Sequence, residues 1–69
     1  MKPDAFIELL HDTVTPESVV LDVGCGHGEL TLDIARRCRA VTAYDRVEAF
    51  VSRARHDAAA AGITNCTFI

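Results

Sequence analysis

No run of apolar residues in this chain approaches the ~20 needed to span a bilayer; the longest, such as Val19-Val20-Leu21 and Ala58 to Ala61, are far shorter. No membrane-crossing segment is therefore expected. The basic start and apolar centre of a secretory signal are missing too, because Asp4 and Glu8 interrupt the N-terminal segment, so a cytosolic (cytoplasmic) location is expected by elimination. Cysteine is sparse and odd in number. Cys25, Cys38 and Cys66 contain no C-x-x-C pair, which suits neither a disulfide framework nor a zinc ribbon and predicts free thiols. Basic residues are too few for a broad nucleic-acid footprint: 7 Lys plus Arg against 10 Asp plus Glu leave a net charge of −3, which argues against such a partner without excluding it. No internal repeat occurs, and the alanine run near the end is the nearest thing to low complexity.

What is present is an ordinary globular composition, 49% hydrophobic and 25% charged, in which disorder is the wrong default. With 69 residues the chain has room for one small, marginally stable domain that buries only about 60% of its unfolded surface. Pro3 and Asp4 suit a first helical turn, and Phe6, Leu9, Leu10 and Val14 follow at helical spacing, predicting an amphipathic helix over residues 4–13. Thr15-Pro16-Glu17-Ser18 stops it, and Val19–Val23 reads as a buried strand in which Asp22 is the anomaly.

Gly24-Cys25-Gly26-His27-Gly28 ends that strand. Leu30, Ile34 and Cys38 then mark a second helix, with Arg36, Arg37 and Arg39 at its far end to complement the negative C-terminus. Ala40 to Tyr44 is a second strand, closed by Asp45. Val47, Phe50, Val51, Ala54, Ala58 and Ala61 form one face of a third helix, Gly62 terminates it, and Cys66-Thr67-Phe68-Ile69 begins a third strand. This order of two βαβ units predicts the α/β class: a Rossmann-like parallel sheet of three strands in order 3-2-1, residues 1–17 forming an N-terminal helix and turn and residues 18–69 the βαβαβ unit. Both long helices should share one face, leaving the other covered at most by residues 4–13, and the open edge of the first strand should favour self-association.

A strand that runs into three glycines and then a helix is a device for binding an anion or nucleotide, because the glycines allow a tight turn with close backbone approach beside a helix N-terminus. Context adds weight. Asp45 lies 21 residues beyond Gly24 at the end of the next strand, where a carboxylate can accept hydrogen bonds from both hydroxyls of a ribose. The bland alternatives are a tight turn, an Asp45 that only caps the third helix, and an Asp22 that bonds only backbone N–H groups. A dinucleotide fingerprint G-x-G-x-x-G would need glycine at residue 29, where this chain has Glu29, an acid that opposes a pyrophosphate.

Val20-Leu21-Asp22-Val23-Gly24-Cys25-Gly26-His27-Gly28 resembles the first motif of the class I S-adenosylmethionine-dependent methyltransferases, and Ala43-Tyr44-Asp45 their second. The likeness continues through Ala54-Arg55, Ala61-Gly62-Ile63-Thr64-Asn65 and Phe68-Ile69, so it covers roughly residues 18–69. The resemblance implies an incomplete doubly wound methyltransferase fold, the N-terminal cofactor-binding part of such an enzyme, with S-adenosylmethionine as cofactor and S-adenosylhomocysteine as product. It places the loop of Gly24, Cys25, Gly26, His27 and Gly28 against the methionine part, Asp45 on the ribose hydroxyls and Asp22 on the amino group, directly or through water. An acid in a buried strand is costly unless paired, and this cofactor brings two cationic groups. Arg46 completes the candidate set, although the family often has a small polar residue there. The family's adenine-side acid and acceptor-binding half follow the third strand, beyond Ile69, so neither a catalytic residue nor the methyl acceptor is assigned.

Other residues carry less. Cys25, between two glycines, reads as a small filler with no partner base nearby. His27 reads as a solvated loop residue or a ligand contact, while His11 and His56 lack metal-ligand spacing. The arginines at 36, 37, 39, 53 and 55 read as solvated helix faces, with RNA contact as the alternative. The rival functions are a dinucleotide-binding (NAD-type) module and a non-catalytic, self-associating βαβ module.

Overall fold

A computed structural model describes residues 3–69; the first-turn roles expected of the Pro3 and Asp4 side chains lie outside the side chains described, which begin at Ala5. The elements are α1 (Pro3–Thr13), β1 (Val19–Val23), α2 (Glu29–Ala35), β2 (Ala40–Tyr44), α3 (Glu48–Ala60) and β3 (Cys66–Phe68). Their order is the one expected. All pairings are parallel, with β2 in the middle, Val19 to Val23 opposite Ala40 to Tyr44, and Val41 to Ala43 opposite Cys66 to Phe68.

This register decides which side chains share a face. Val20 and Asp22 align with Val41 and Ala43, and these with Cys66 and Phe68, so one face presents all six to the helices. There Ala43, Val51, Ala54, Ala58 and Phe68 form the core cluster, with Cys25, Leu32, Ile63 and Cys66 packed against it. Alanine at 43 and 54, both fully buried, lets α3 lie close to the sheet.

Helix ends are where the sequence reading slips. Helix α2 stops at Ala35, so Cys38 and the three arginines lie beyond it instead of in its last turn. The carbonyls of its last residue and of the turn beyond find a different partner: the Asn65 side-chain amide donates to Ala35 O (2.8 Å) and Cys38 O (3.2 Å), tying the end of α2 to the start of β3. The buried stripe of α2 is Thr31, Ile34 and Ala35, one position out of phase with the expected Leu30. Helix α3 ends as expected at Gly62 (φ 71°), through a paired motif in which Gly62 N–H donates to Ala59 O (3.1 Å) and Ile63 N–H to Ala58 O (2.9 Å).

The opposite face of the sheet departs from the buried strand read at Val19–Val23. Val19, Leu21 and Val23 are exposed, at 72%, 67% and 69%, and Tyr44 is exposed beside them. Both crossover helices occupy the Asp22 face, and α1 is held to α2, by His11 Nε2 lying 2.8 Å from Asp33 Oδ2. Within α1, moreover, Ile7, Leu10 and His11 are half-buried while Phe6 and Leu9 are exposed. The expected apolar face of α1 is therefore rotated.

An apolar face flanked by an open strand edge is suited to pairing with another copy, so the 69-residue chain studied by itself is expected to associate. Sedimentation velocity should find oligomers that Leu21→Lys weakens about tenfold or more, since burying a leucine is worth roughly 1.5–3 kcal/mol. A stable wild-type monomer would contradict this.

Candidate functional site

The C-terminal ends of the three strands converge. Tyr44 O accepts from both Gly24 N–H (2.7 Å) and Cys25 N–H (3.0 Å), carrying the β1–β2 pairing into the glycine loop. On the other side Ile69 N–H donates to Ala43 O (2.9 Å) and Asp45 N–H to Ile69 O (3.3 Å). The loop thus leaves β1 beside the residue that follows β2.

Asp45 joins the two. Its Oδ2 accepts from Gly26 N–H at 2.9 Å and its Oδ1 from Val47 N–H at 2.8 Å. These bonds, that to Val47 foremost, hold the carboxyl below its ordinary value of 3.8, with the Arg46 charge acting in the same direction. At neutral pH the group is an acceptor only. A carboxylate offers about four lone-pair sites, so one on each oxygen remains for a pair of hydroxyls. Arg46 itself is exposed.

The glycines divide their work. All three adopt positive φ: 77° at Gly24, 57° at Gly26 and 85° at Gly28. A Cβ at Gly24 or Gly26 would meet nothing within 4 Å, so the loop's outer surface is bare backbone. The obstacle to a side chain at Gly26 is thus its backbone conformation and not crowding by the protein. At Gly28, by contrast, a Cβ would come within 2.8 Å of Ala54 Cβ, so this buried glycine brings the start of α2 against α3. Here the missing side chain serves packing.

Asp22 is half-buried and accepts a 2.5 Å hydrogen bond at Oδ2 from the hydroxyl of Thr31, which is fully buried on α2. This partner replaces the backbone N–H groups considered from sequence. Among the described residues Oδ1 receives no donor, so one oxygen is free for a cation. Cys25 is partly buried against the core cluster, and burial first, then the charges of Asp22 and Asp45, push its thiol up from 9.0. It remains protonated and acts as filler.

His27 is exposed yet not simply solvated: its ring stands edge-on to Phe50 of α3, centroids 4.5 Å apart and planes at 88°. Phe50, assigned to the buried face from sequence, turns to this loop. Arg55 is another correction, since its Nη2 donates to Phe68 O at 2.7 Å and fixes the end of β3. Arg53 and Arg37 pair with acids four residues away on exposed surface, at 3.1 and 3.5 Å.

Sequence reading assigned no supporting role to Thr31, and it placed Phe50 and Ala54 only on a helix face and Asn65 only within a stretch resembling the family, without their contacts at the loop and helix ends.

A bare glycine loop tied to an acid at the C-terminal edge of a parallel sheet is the geometry of a nucleotide-type site. The match to the family described as Methyltransferase domain runs over residues 15–69, and the chain belongs to that family. It is 44% identical over 55 residues to the 23S rRNA (uracil(1939)-C(5))-methyltransferase RlmD of Photobacterium angustum, covering 80% of this chain and 25% of that protein. Over 53 residues it is 40% identical to a probable cobalt-precorrin-6B C(15)-methyltransferase (decarboxylating) of Methanocaldococcus jannaschii, covering 77% of this chain and 29% of the relative. An rRNA methylase from Streptococcus thermophilus superposes with a TM-score of 0.91 at 26% identity, over 100% of this chain and 42% of its own. The chain therefore spans only about a quarter of the length of these curated relatives.

The two kinds of glycine should separate on substitution in the full-length protein. Gly28→Ala combines left-handed strain with a clash against Ala54 and should cost roughly 2–4 kcal/mol, whereas Gly26→Ala should cost about 1–2 kcal/mol from strain alone. Urea denaturation reads both, and equal losses would contradict the division.

Proposed function

We propose that the chain is the cofactor-binding N-terminal part of a cytoplasmic S-adenosylmethionine-dependent methyltransferase, and that the cofactor lies across the C-terminal ends of β1 and β2. The observation that carries this reading is Asp45, an ionised carboxylate tied to the glycine loop with one acceptor site left on each oxygen. Those two sites match the two hydroxyls of a ribose. Gly24 and Gly26 present backbone with no side chain in the way, which suits close approach of the methionine portion, with Cys25 and His27 as their loop neighbours. Gly28 acts by holding the loop to α3. The free Oδ1 of Asp22 suits the amino group, and Arg46 borders the ribose side.

When bound, such a cofactor supplies a methyl group on a sulfonium, and transfer is a displacement for which the protein mainly aligns donor and acceptor. The work of these residues is binding and orientation. Asp45, held on both oxygens, positions the ribose; Asp22, held by Thr31, directs a carboxylate toward positive charge. No described side chain takes the role of base. The relatives named above carry acceptors as different as a uracil of 23S rRNA and a cobalt-precorrin, so acceptor choice is assigned to other parts of the full-length enzyme. RNA contact by this part is not favoured, because the net charge is −3 and Arg55 is committed to the end of β3.

Calorimetric titration of the full-length protein with S-adenosylhomocysteine tests the reading. Asp45→Ala removes a pair of charge-assisted bonds worth roughly 1.5–3 kcal/mol and should weaken binding about tenfold or more. Unchanged affinity would defeat the assignment.

A further inference from the structure

The loop of residues 24–28 has three glycines in left-handed conformations, each a residue that loses more freedom than any other on being ordered. A loop that had to be ordered by its ligand would bind weakly, since that ordering is subtracted from affinity. Backbone bonds fix its two ends, from Gly24 and Cys25 to Tyr44 and from Gly28 N–H to Cys25 O at 3.0 Å. Gly26 is held by Asp45. His27 is the longest side chain in the loop and is flanked by two glycines, so its backbone has little restraint of its own. Its ring meets Phe50, edge to face at 4.5 Å, in a favoured aromatic geometry.

We infer that Phe50 is a positioning residue: by gripping His27 it holds the glycine loop in its ligand-ready form before S-adenosylmethionine arrives. Phe50 itself is on the first turn of α3, 36% exposed and outside the core cluster, so its replacement should leave the fold intact. This rests on the cofactor reading above, but one of its consequences does not. In the ligand-free protein the aromatic contact adds to the backbone bonds and the Asp45 tether a restraint on the His27 side chain, and that contribution to loop order does not depend on which ligand binds.

The test uses the full-length protein and three forms: wild type, Phe50→Leu and Phe50→Tyr. By NMR, wild type and Phe50→Tyr should show ring-current shifts of the His27 ring protons and slow amide exchange through residues 25–28, and Phe50→Leu should lose both. Affinity for S-adenosylhomocysteine should fall about three- to tenfold in Phe50→Leu and recover in Phe50→Tyr, the range that the loss of one aromatic pair allows. Loop exchange and His27 shifts unaltered in Phe50→Leu would overturn the positioning role whatever the protein binds. A wild-type protein with an ordered loop that failed to bind S-adenosylhomocysteine would instead overturn the cofactor reading.

Discussion

One carboxylate joins the two halves of the site. Asp45 takes Gly26 N–H on one oxygen and Val47 N–H on the other, and through them it connects the loop after β1 to the turn that starts α3. A neutral side chain of the same size would offer fewer acceptors, and an acid one residue away would point to the other face of the sheet. The bare surface of Gly24 and Gly26 is useful only because this tether keeps the loop in place beside the acid. Sheet, loop and helix thus meet at a group that keeps capacity to spare.

The rest of the fold supports that junction. Gly28 against Ala54 sets how closely α2 approaches α3, and the Thr31 hydroxyl carries the cost of a carboxylate in the covered face of β1. Asn65 closes the far end of α2, and Arg55 fixes the end of β3. These are side-chain bonds between elements distant in sequence. A domain this small has little apolar area to spend, and polar ties of this kind hold its geometry where the core is thin. The opposite face of β1 stays exposed at Val19, Leu21 and Val23.

Much of this was legible from the residues. Hydrophobic periodicity and glycine placement marked the element order and the parallel sheet, and the spacing from Gly24 to Asp45 marked two segments that the fold brings together as a candidate site, because both depend on local patterns. What could not be read were contacts made by the tertiary fold. Thr31 carried no signal of its own, Phe50 looked like core because its spacing fitted the helical stripe, and Asn65 stood out only as part of a stretch that resembles the family. The apolar run of β1 by itself did not distinguish its two faces; the right-handed crossovers did, by placing both long helices on one of them. The arginines misled for a simpler reason: charge was read without knowing that α2 stops at Ala35.

The most direct measurement is a crystal structure of the full-length protein with S-adenosylhomocysteine. Both ribose hydroxyls are expected within hydrogen-bond distance of the Asp45 carboxylate, with the bond from Gly26 N–H to Asp45 retained and the methionine portion lying over Gly24 and Gly26. A ribose bound away from Asp45, or an Asp45 released from the loop on binding, would contradict the central role given to this residue.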